Sequence, residues 1–270
     1  MTTIGQWLAS TGGIDRFDRE LLVCRILDIS RATLITTPDL EIPSALQTQL
    51  DADLERLQHG LPFAYLEGEK EFWGLRFEVT PEVLIPRPET ELLVELSITH
   101  TPGRGRVLDL GTGSGAVAIA IATERPDLDV TACDIDDGAI IVARTNISYH
   151  GVSITVQHSD WLQGLSGRWH TIVSNPPYIA AEDPHLASLS YEPAIALVSG
   201  QDGLDAIRHI VSNAGGYLTQ DGWLIVEHGW DQAERVRHLF ERSGFQHVTT
   251  RQDLAGLDRV TLGQRRQPDG

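Results

Sequence analysis

The sequence predicts an α/β protein in which a small helical domain precedes an open, mostly parallel sheet with helices on both faces. From Arg106 onward, short apolar runs alternate with helical segments, which is the pattern of parallel strands joined by crossover helices. Before about residue 73 the apolar residues instead recur at helical spacing. Two β-rich runs near the end, 247–250 and 259–262, are too close together for a crossover helix, so we expect them to pair antiparallel.

Residues 1–73 are predicted to form the helical domain. Apolar residues recur at helical spacing over 16–27 and again over 42–57, where Gly60-Leu61-Pro62 ends the pattern. The alternating, β-rich stretch over 72–85 predicts a hairpin, and we assign 74–86 as a hairpin linker. The remaining residues, 87–270, form the predicted sheet domain.

The elements of the sheet domain follow in a simple order. A helix opens near 87–91, with Thr90 as its N-cap or Pro88 in its first turn. The predicted strands lie at 107–110, 130–134, 154–157, 171–174, 223–227, 247–250 and 259–262, and the predicted helices at 114–124, 137–149 and 231–242. The longest apolar run, 116–122, is too short to cross a membrane, so we expect no membrane association.

The composition narrows the function classes. The formal net charge is −17, and Lys70 is the only lysine. Such a surface repels phosphate backbones, so we expect no nucleic-acid partner, although an organism's salt or genome bias explains the composition equally well. Cys24 and Cys133 lie far apart and form no CxxC pair, which indicates a reducing compartment, here the cytoplasm, and no metal site. The first residues lack the basic and apolar regions of a signal peptide.

A glycine-rich loop follows the first strand of the sheet. It reads Asp109-Leu110-Gly111-Thr112-Gly113-Ser114-Gly115 and opens a helix, so backbone N–H groups are available to a ligand that approaches closely. The loop lacks the Gly-Lys-Ser/Thr ending of a nucleoside triphosphate site. Gly111, Gly113 and Ala116 satisfy the dinucleotide pattern loosely, so the loop alone leaves an NAD site and a structural turn open.

Acidic residues follow the next two strands. Asp134 ends the second strand about twenty residues beyond the loop, where a carboxylate accepts hydrogen bonds from two ribose hydroxyls. The alternative is that the acid only ends the strand in solvent or caps the next helix. The nearby Asp136 and Asp137 make that role plausible for one of these three carboxylates. Asp160 and Trp161 follow the third strand, where a nucleoside base would lie; a capping acid beside a buried aromatic ring explains them equally well.

The fourth strand ends in an unusual turn, Asn175-Pro176-Pro177-Tyr178. Proline donates no backbone hydrogen bond and fixes φ, so the segment cannot continue a central strand. What remains is a rigid turn with a side-chain amide, backbone carbonyl groups and an aromatic ring. Such a turn can bind the hydrogens of a planar –NH2 group and cover its face, which predicts chemistry on an amide or amino nitrogen.

The glycine loop, the acid after the second strand and the Asn-Pro-Pro-Tyr turn together resemble class I S-adenosylmethionine-dependent methyltransferases, which have a Rossmann-like sheet. Four further segments resemble the peptide chain release factor glutamine N5-methyltransferases (HemK/PrmC type). These segments are Leu61-Pro62-Phe63-Ala64-Tyr65-Leu66, Phe72-Trp73-Gly74-Leu75-Arg76-Phe77, Leu84-Ile85-Pro86-Arg87-Pro88-Glu89-Thr90-Glu91 and Tyr191-Glu192-Pro193. The likeness covers nearly the whole chain and is loosest in the first helical domain.

The resemblance implies a cofactor site and a substrate site. Gly111, Thr112, Gly113, Ser114 and Gly115 would line the methionine and ribose of S-adenosylmethionine, Asp134 would bind the ribose, and Trp161 and Asn175 would border the cofactor, with Asp160 near the adenine amino group. Asn175, Pro176, Pro177 and Tyr178 would hold the glutamine of the Gly-Gly-Gln loop in class I release factors. The helical domain would help bind that partner, and we expect the enzyme to be a monomer.

The turn suggests how an amide nitrogen, a poor nucleophile, is presented. We predict that Asn175 Oδ1 accepts one amide hydrogen, that the Pro176 carbonyl accepts the other, and that Tyr178 packs over the amide plane, without a strong general base. Four alternatives stay open: a ribosomal-protein glutamine methyltransferase, an adenine-N6 nucleic-acid methyltransferase, an NAD-dependent dehydrogenase and a non-catalytic cofactor sensor. The linker segments argue against the first, and the acidic charge argues against the second. The turn has no role in the third and would not be needed in the fourth.

Overall fold

The computed structural model of the chain describes residues 2–266. The chain divides into two compact units between Glu67 and Gly68. Among the described residues, no helix has both the length and the apolar character needed to cross a membrane.

Within its described residues, 2–67, the first unit contains five helices. These are α1 (Ile4–Ser10), α2 (Arg16–Leu27), α3 (Arg31–Thr36), α4 (Ser44–Gln58) and α5 (Phe63–Glu67). Trp7, Leu22, Val23 and Leu50 are almost completely buried in a core of their own. The two longer helices match the predicted spans, whereas α1, α3 and α5 are too short to show a clear period. Side-chain caps begin three of them; Thr3, for example, accepts from Gln6 N and starts α1.

A two-stranded hairpin opens the second unit, but it lies earlier than predicted. Strands β1 (Glu69–Phe72) and β2 (Leu75–Glu78) pair around Trp73 and Gly74, whose φ angles are 54° and 67°. Two positive φ angles match the twist of a hairpin, which is why the turn falls here. The hairpin linker was predicted at 74–86, whereas the hairpin in the structure spans 69–78. Val83 and Ile85 resemble strand residues because they are buried, yet they lie in irregular backbone.

The main sheet has seven strands in the part of the chain that the structure describes, and it confirms the predicted fold class. The strands are β3 (Arg106–Leu110), β4 (Asp129–Asp134), β5 (Ile154–His158), β6 (Trp169–Ser174), β7 (Leu218–Glu227), β8 (Phe245–Gln252) and β9 (Asp258–Arg265). Their spatial order is β5-β4-β3-β6-β7-β9-β8. Only β9 is antiparallel to its neighbours, β7 and β8. The predicted antiparallel pair at the end of the chain is thus confirmed.

Helices cover both faces of this sheet. They are α6 (Glu91–His100), α7 (Ala116–Glu124), α8 (Asp137–His150), α9 (Asp205–Ala214) and α10 (Ala233–Arg242). Side chains of α6 and α7 pack on one face with Val107 and Val173, and side chains of α9 and α10 pack on the other face with Leu108 and Ile172. Helix α9 was not predicted, although its buried residues Ala206, Ile207, Ile210 and Val211 have helical spacing.

The strand order creates a crevice between β3 and β6. The chain runs outward from β3 through β4 to β5 and then returns to the opposite side of β3 with β6. The connections that leave β3 and β6 therefore diverge, which leaves space beyond the carboxyl ends of the strands. The glycine loop follows β3 and the Asn-Pro-Pro-Tyr turn follows β6, so the fold brings the two predicted sites to one crevice.

Candidate active site

A cavity of about 560 Å³ fills this crevice. Its walls come from the irregular segment after β2, the glycine loop, the ends of β4 and β5, the turn after β6, and the segment that leads into α9. Ligand sites in proteins commonly enclose about 300–1,000 Å³. The cavity is therefore large enough for a ligand of nucleoside size or larger.

Backbone hydrogen bonds fix the glycine loop against β4. Gly111 N and Thr112 N both donate to the Cys133 carbonyl at 2.9 Å, and Gly113 N donates to Asp134 Oδ2 at 2.9 Å. Gly111 and Gly113 have φ angles of 69° and 55°, a region that glycine adopts without a steric penalty. The glycines thus allow the loop to fold back onto the neighbouring strand beside the cavity.

The three glycines of the loop serve different purposes. A Cβ atom at Gly113 would meet nothing within 4 Å, so this position leaves space at the cavity. A Cβ at Gly111 would lie 3.5 Å from the Trp161 ring. Gly115 does not line the cavity: it has a φ of 82°, precedes α7, and a Cβ there would lie 3.4 Å from the Ala143 backbone. Gly115 therefore permits helix packing, a role different from the predicted contact with a cofactor.

Asp134 ends β4 and faces the cavity. Its Oδ2 accepts from Gly113 N, and its Oδ1 accepts from Asp136 N at 3.0 Å. Burial raises the pKa of this carboxyl, and the backbone donors oppose the rise because they stabilise its charge. The alternative role as N-cap belongs to Asp136, whose Oδ1 accepts from Ala139 N and begins α8. The Asp134 carboxyl thus lines the cavity without capping a helix.

Asp109 lies beneath the glycine loop and is 2 % exposed. The Thr112 hydroxyl donates to its Oδ2 at 2.7 Å. Burial raises the pKa of Asp109 to about 7, and the nearby Asp134 charge adds to the rise, whereas the Thr112 hydrogen bond opposes it. The floor of the cavity therefore holds a carboxyl group that titrates near neutral pH.

Asp160 and Trp161 follow β5, and both line the cavity. Trp161 has a φ of 52°, and its carbonyl accepts from Ser159 Oγ at 2.8 Å, which holds the residue in this unfavourable conformation. The indole ring lies against the glycine loop. Asp160 Oδ2 accepts from Gln163 Nε2 at 2.9 Å, so its carboxylate already has a partner within its own turn.

The Asn-Pro-Pro-Tyr turn leaves the sheet at the mouth of the crevice. Ser174 Oγ donates to the Leu110 carbonyl at 2.7 Å and ties the end of β6 to β3. Asn175 and Pro177 line the cavity, and the Asn175 amide donates to Thr90 Oγ1 at 3.2 Å. Within residues 2–266, no group donates a hydrogen bond to Asn175 Oδ1 or to the Pro176 carbonyl. Both oxygens predicted to accept from a substrate amide are thus without an internal donor.

Tyr178 is directed away from this cavity. Its hydroxyl donates to Glu227 Oε1 at 3.3 Å, and its ring packs among the apolar residues on the α9–α10 side of the sheet. Burial and the Glu227 charge raise the pKa of Tyr178. Gln232 Nε2 donates to the Tyr178 carbonyl at 2.9 Å. Tyr178 therefore anchors the turn, and its ring does not line the wall that Asn175 and Pro177 form.

An ion pair joins the segment before α6 to the segment that follows the Asn-Pro-Pro-Tyr turn. Arg87 donates to Glu192 Oε1, and Glu192 Oε2 accepts from Ile85 N at 3.2 Å. The Glu192 side chain is 2 % exposed. The partner of Arg87 is thus Glu192. Thr90 and Glu227 are contacts of the turn that the sequence reasoning missed, since they lie far from it along the chain.

Comparison with known proteins identifies two families in the chain. The family "PrmC N-terminal domain" matches residues 6–68, and the family "Methyltransferase small domain" matches residues 88–190. The chain is 45% identical to the release factor glutamine methyltransferase of Coxiella burnetii over 97% of the chain and 96% of that relative. It is 44% identical to the enzyme of the same name from Aliivibrio fischeri, over 92% of the chain and 89% of the relative.

Solved structures support the fold. A methyltransferase from Pyrococcus furiosus is similar with a TM-score of 0.57 and 18% identity, over 80% of this chain and 98% of that one. The 16S rRNA N2 G1207 methyltransferase from T. thermophilus is similar with a TM-score of 0.54 and 20% identity, over 73% of this chain and 50% of that one. At these identities the likeness concerns the architecture of the sheet domain alone.

Proposed function

The chain belongs to the release factor glutamine methyltransferase family, and from this premise we propose that it transfers a methyl group from S-adenosylmethionine to a protein glutamine. The acceptor is the N5 amide nitrogen of the Gly-Gly-Gln glutamine in class I peptide chain release factors, and the second product is S-adenosylhomocysteine. The modification modulates translation termination.

The proposal rests on two hydrogen-bond acceptors of the Asn-Pro-Pro-Tyr turn that have no donor. Asn175 lines the cavity, and its Oδ1 and the Pro176 carbonyl have no donor among residues 2–266. A primary amide brings two N–H donors on one nitrogen, and two acceptors at the end of one strand match that pair. Unpaired acceptors at a binding site favour a ligand that supplies donors.

The cavity fits a cationic nucleoside cofactor. Its wall carries more acidic than basic side chains; the acids are Glu82, Asp109, Asp134, Asp136, Asp160 and Asp205, and Arg87 is the one arginine. This charge attracts a sulfonium and repels the pyrophosphate of a dinucleotide, which argues against NAD. In this proposal Asp134 accepts from the ribose hydroxyls, and Trp161 and the open space at Gly113 suit the nucleoside.

The residues of the turn prepare the amide nitrogen. When bound, S-adenosylmethionine supplies a methyl group that its sulfonium already activates. Asn175 Oδ1 and the Pro176 carbonyl accept the two amide hydrogens, which raises electron density on the nitrogen and orients its lone pair. Orientation of this kind can supply several kcal/mol of barrier reduction, about 7–11 kcal/mol at most. The C–S bond of the sulfonium breaks as the N–C bond forms, and the proton that the amide nitrogen loses passes to solvent, so a formal general base is not required for the transfer itself.

Tyr178 and Pro177 have separate parts in this proposal. Pro177 keeps the turn rigid at the cavity wall, and Tyr178 anchors it through Glu227 and Gln232. Because the Tyr178 ring does not line the cavity, we do not assign it to the amide face. The N-terminal helices take part in binding the release factor, the enzyme acts as a monomer, and it works in the cytoplasm.

Methyl transfer from labelled cofactor tests the proposal. The protein is incubated with labelled S-adenosylmethionine and one of three acceptors: a class I release factor, its Gly-Gly-Gln→Gly-Gly-Ala variant, or nucleic acid. We expect label on the intact release factor alone. Label on the Gly-Gly-Ala variant would move the acceptor elsewhere in the protein, and label on nucleic acid, or on none of the three, would overturn the proposal.

A further inference from the structure

Arg87 is the one arginine among the described residues that line the cavity. Its guanidinium donates to Glu192 Oε1 through Nη2, and within residues 2–266 neither Nε nor Nη1 donates to any group. The side chain is 36 % exposed. A guanidinium carries several N–H donors in a planar fork, so one ion pair uses only part of them. Most donors of Arg87 are therefore available to a ligand in the cavity.

The Glu192 carboxyl group holds this guanidinium in place. It is almost completely buried, and its Oε2 accepts from Ile85 N at 3.2 Å. The carboxyl group is therefore fixed on one side by the backbone and on the other side by Arg87. Charge-assisted hydrogen bonds of this kind are short and directional. The guanidinium is thus oriented before any ligand binds.

The other charged side chains of the wall are mostly acidic. S-adenosylmethionine carries a sulfonium, an α-ammonium and an α-carboxylate, and an acidic wall attracts the first two groups and repels the third. The carboxylate therefore needs a cationic donor within the cavity. Besides Arg87, only His209 on α9 can carry a positive charge among the described residues of the wall, and the guanidinium is the one that is charged at every physiological pH.

Arg87 also lies beside the region where the methyl group must leave the cofactor. Thr90 N donates to the Arg87 carbonyl at 3.0 Å, and Asn175 Nδ2 donates to Thr90 Oγ1 at 3.2 Å. In the proposed function the sulfonium lies next to Asn175, and Asp134 binds the ribose. The methionine arm is a short carbon chain, so its carboxylate stays close to the sulfonium. The arm, rather than the nucleoside, is therefore the part of the cofactor nearest to Arg87.

Resting on the proposed function, we propose that Arg87 binds the α-carboxylate of the methionine arm of S-adenosylmethionine. One edge of the guanidinium stays paired with Glu192, and the remaining donors serve the cofactor. This contact makes the cavity specific for a nucleoside that carries an amino acid. Arg87 takes no part in the bond changes of methyl transfer.

A ligand that lacks the carboxylate isolates this contact. Decarboxylated S-adenosylmethionine keeps the sulfonium and the ammonium, and calorimetric titration measures the dissociation constants of both ligands. In Arg87→Gln the dissociation constant of S-adenosylmethionine should rise by roughly tenfold to a hundredfold, as for the loss of hydrogen bonds between charged groups. That of the decarboxylated ligand should not rise, because this ligand has no group for Arg87 to bind. The difference between the two ligands cancels any general damage to the site.

A conservative variant and a control complete the test. Arg87→Lys keeps the charge that pairs with Glu192 but loses the planar fork, so the preference for S-adenosylmethionine over the decarboxylated ligand should fall by a smaller factor. This variant also decides the matter if Arg87→Gln does not fold. Arg76→Gln is the matched control, since Arg76 is an exposed arginine of β2 that pairs with Glu69. It should bind both ligands as the wild type does.

Three outcomes would overturn the assignment. They are wild-type affinity for S-adenosylmethionine in Arg87→Gln, an equal loss for both ligands in both Arg87 variants, and a carboxylate-specific loss in His209→Gln alone. If the cofactor affinity of Arg87→Gln is unchanged and its KM for the release factor rises, Arg87 binds the protein substrate instead.

The binding measurements also separate this assignment from the proposed function. A wild-type protein that binds S-adenosylmethionine but methylates no release factor would refute the proposed function, and the difference between the two ligands would still decide the role of Arg87. A wild-type protein that binds neither ligand would refute both.

Discussion

The side-chain amide of Asn175 donates a hydrogen bond to the Thr90 hydroxyl at 3.2 Å. This contact joins the end of β6 to the residue before α6, which lies 85 positions earlier in the chain. It orients the side-chain amide with Nδ2 toward Thr90 and Oδ1 away from it. The hydrogen bond therefore ties the segment that precedes α6 to the turn that follows β6.

Asn175→Ala should abolish methyl transfer and leave cofactor binding largely intact. The substitution removes the acceptor Oδ1 and the bond to Thr90, and it does not touch the glycine loop or Asp134. We expect kcat/KM to fall by at least about a hundredfold, as for the loss of an orienting group. Turnover with labelled S-adenosylmethionine and calorimetric titration of the cofactor measure the two effects. Asn213→Ala, at an exposed asparagine of α9, is the control. Full activity in Asn175→Ala would refute the prediction that Asn175 Oδ1 binds the substrate amide.

Asp134→Ala should weaken cofactor binding. Asp134 both holds Gly113 N and faces the cavity, so its loss removes a ligand group and loosens the glycine loop. Hydrogen bonds to charged groups contribute about 1.5–3 kcal/mol each, which corresponds to a rise in the dissociation constant of roughly tenfold to a hundredfold. Calorimetric titration measures it. Asp137→Ala, an exposed carboxylate three residues further along, should bind the cofactor as the wild type does, and equal affinity in both variants would contradict the assignment.

Gly203→Ala should disturb the turn through its far end. Gly203 has a φ of 74°, and a Cβ there would lie 2.3 Å from the Tyr178 carbonyl oxygen. Gly244 has a φ of 82° with nothing within 4 Å, so Gly244→Ala carries the backbone strain alone. We expect Gly244→Ala to cost about 1–2 kcal/mol of unfolding free energy with full activity. Gly203→Ala should cost more and also lower methyl transfer; urea unfolding and turnover measure both. Equal stability and activity in the two variants would show that Tyr178 tolerates the displacement.

The stability of the protein without cofactor should carry a contribution from Asp109 that falls as the pH rises from about 4 to about 7. The folded pKa of Asp109 is about 7 and its usual value is 3.8, so the folded state binds the proton more tightly. Stability from this group is therefore present at low pH and lost as the carboxyl ionises in its buried site. Glu227, with a pKa of about 7, acts in the same direction.

Asp109→Asn tests that sign. Between pH 5 and pH 8, the free energy of unfolding of the wild type should fall relative to that of Asp109→Asn by on the order of 2 kcal/mol. Urea denaturation at the two pH values measures the difference. Asp137→Asn, at an exposed carboxylate, should follow the wild-type pH dependence. A variant Asp109→Asn with the wild-type slope would show that Asp109 is not ionised within this range.

Much of the site was predictable because its parts are local in the sequence. The glycine loop, Asp134 and Asn175 each follow a strand whose apolar run is visible in the chain, and the rule that ligands bind beyond the carboxyl ends of parallel strands brings them together. The antiparallel end of the sheet was predictable for a similar reason, since a short connection between two β-rich runs excludes a crossover helix. Short elements such as α1 and α3 were not, because a single turn or two shows no clear period.

The sequence by itself determined the succession of strands along the chain, the loop and turn that follow two of them, and the chemical class that the turn suits. Only the tertiary structure decided which residues hold them. Thr90, Glu192 and Glu227 approach the site from three distant segments. Tyr178 anchors the turn instead of lining the cavity. Local patterns report backbone geometry and burial, whereas the partner of a polar side chain depends on which segments the packed sheet brings within about 3 Å of one another.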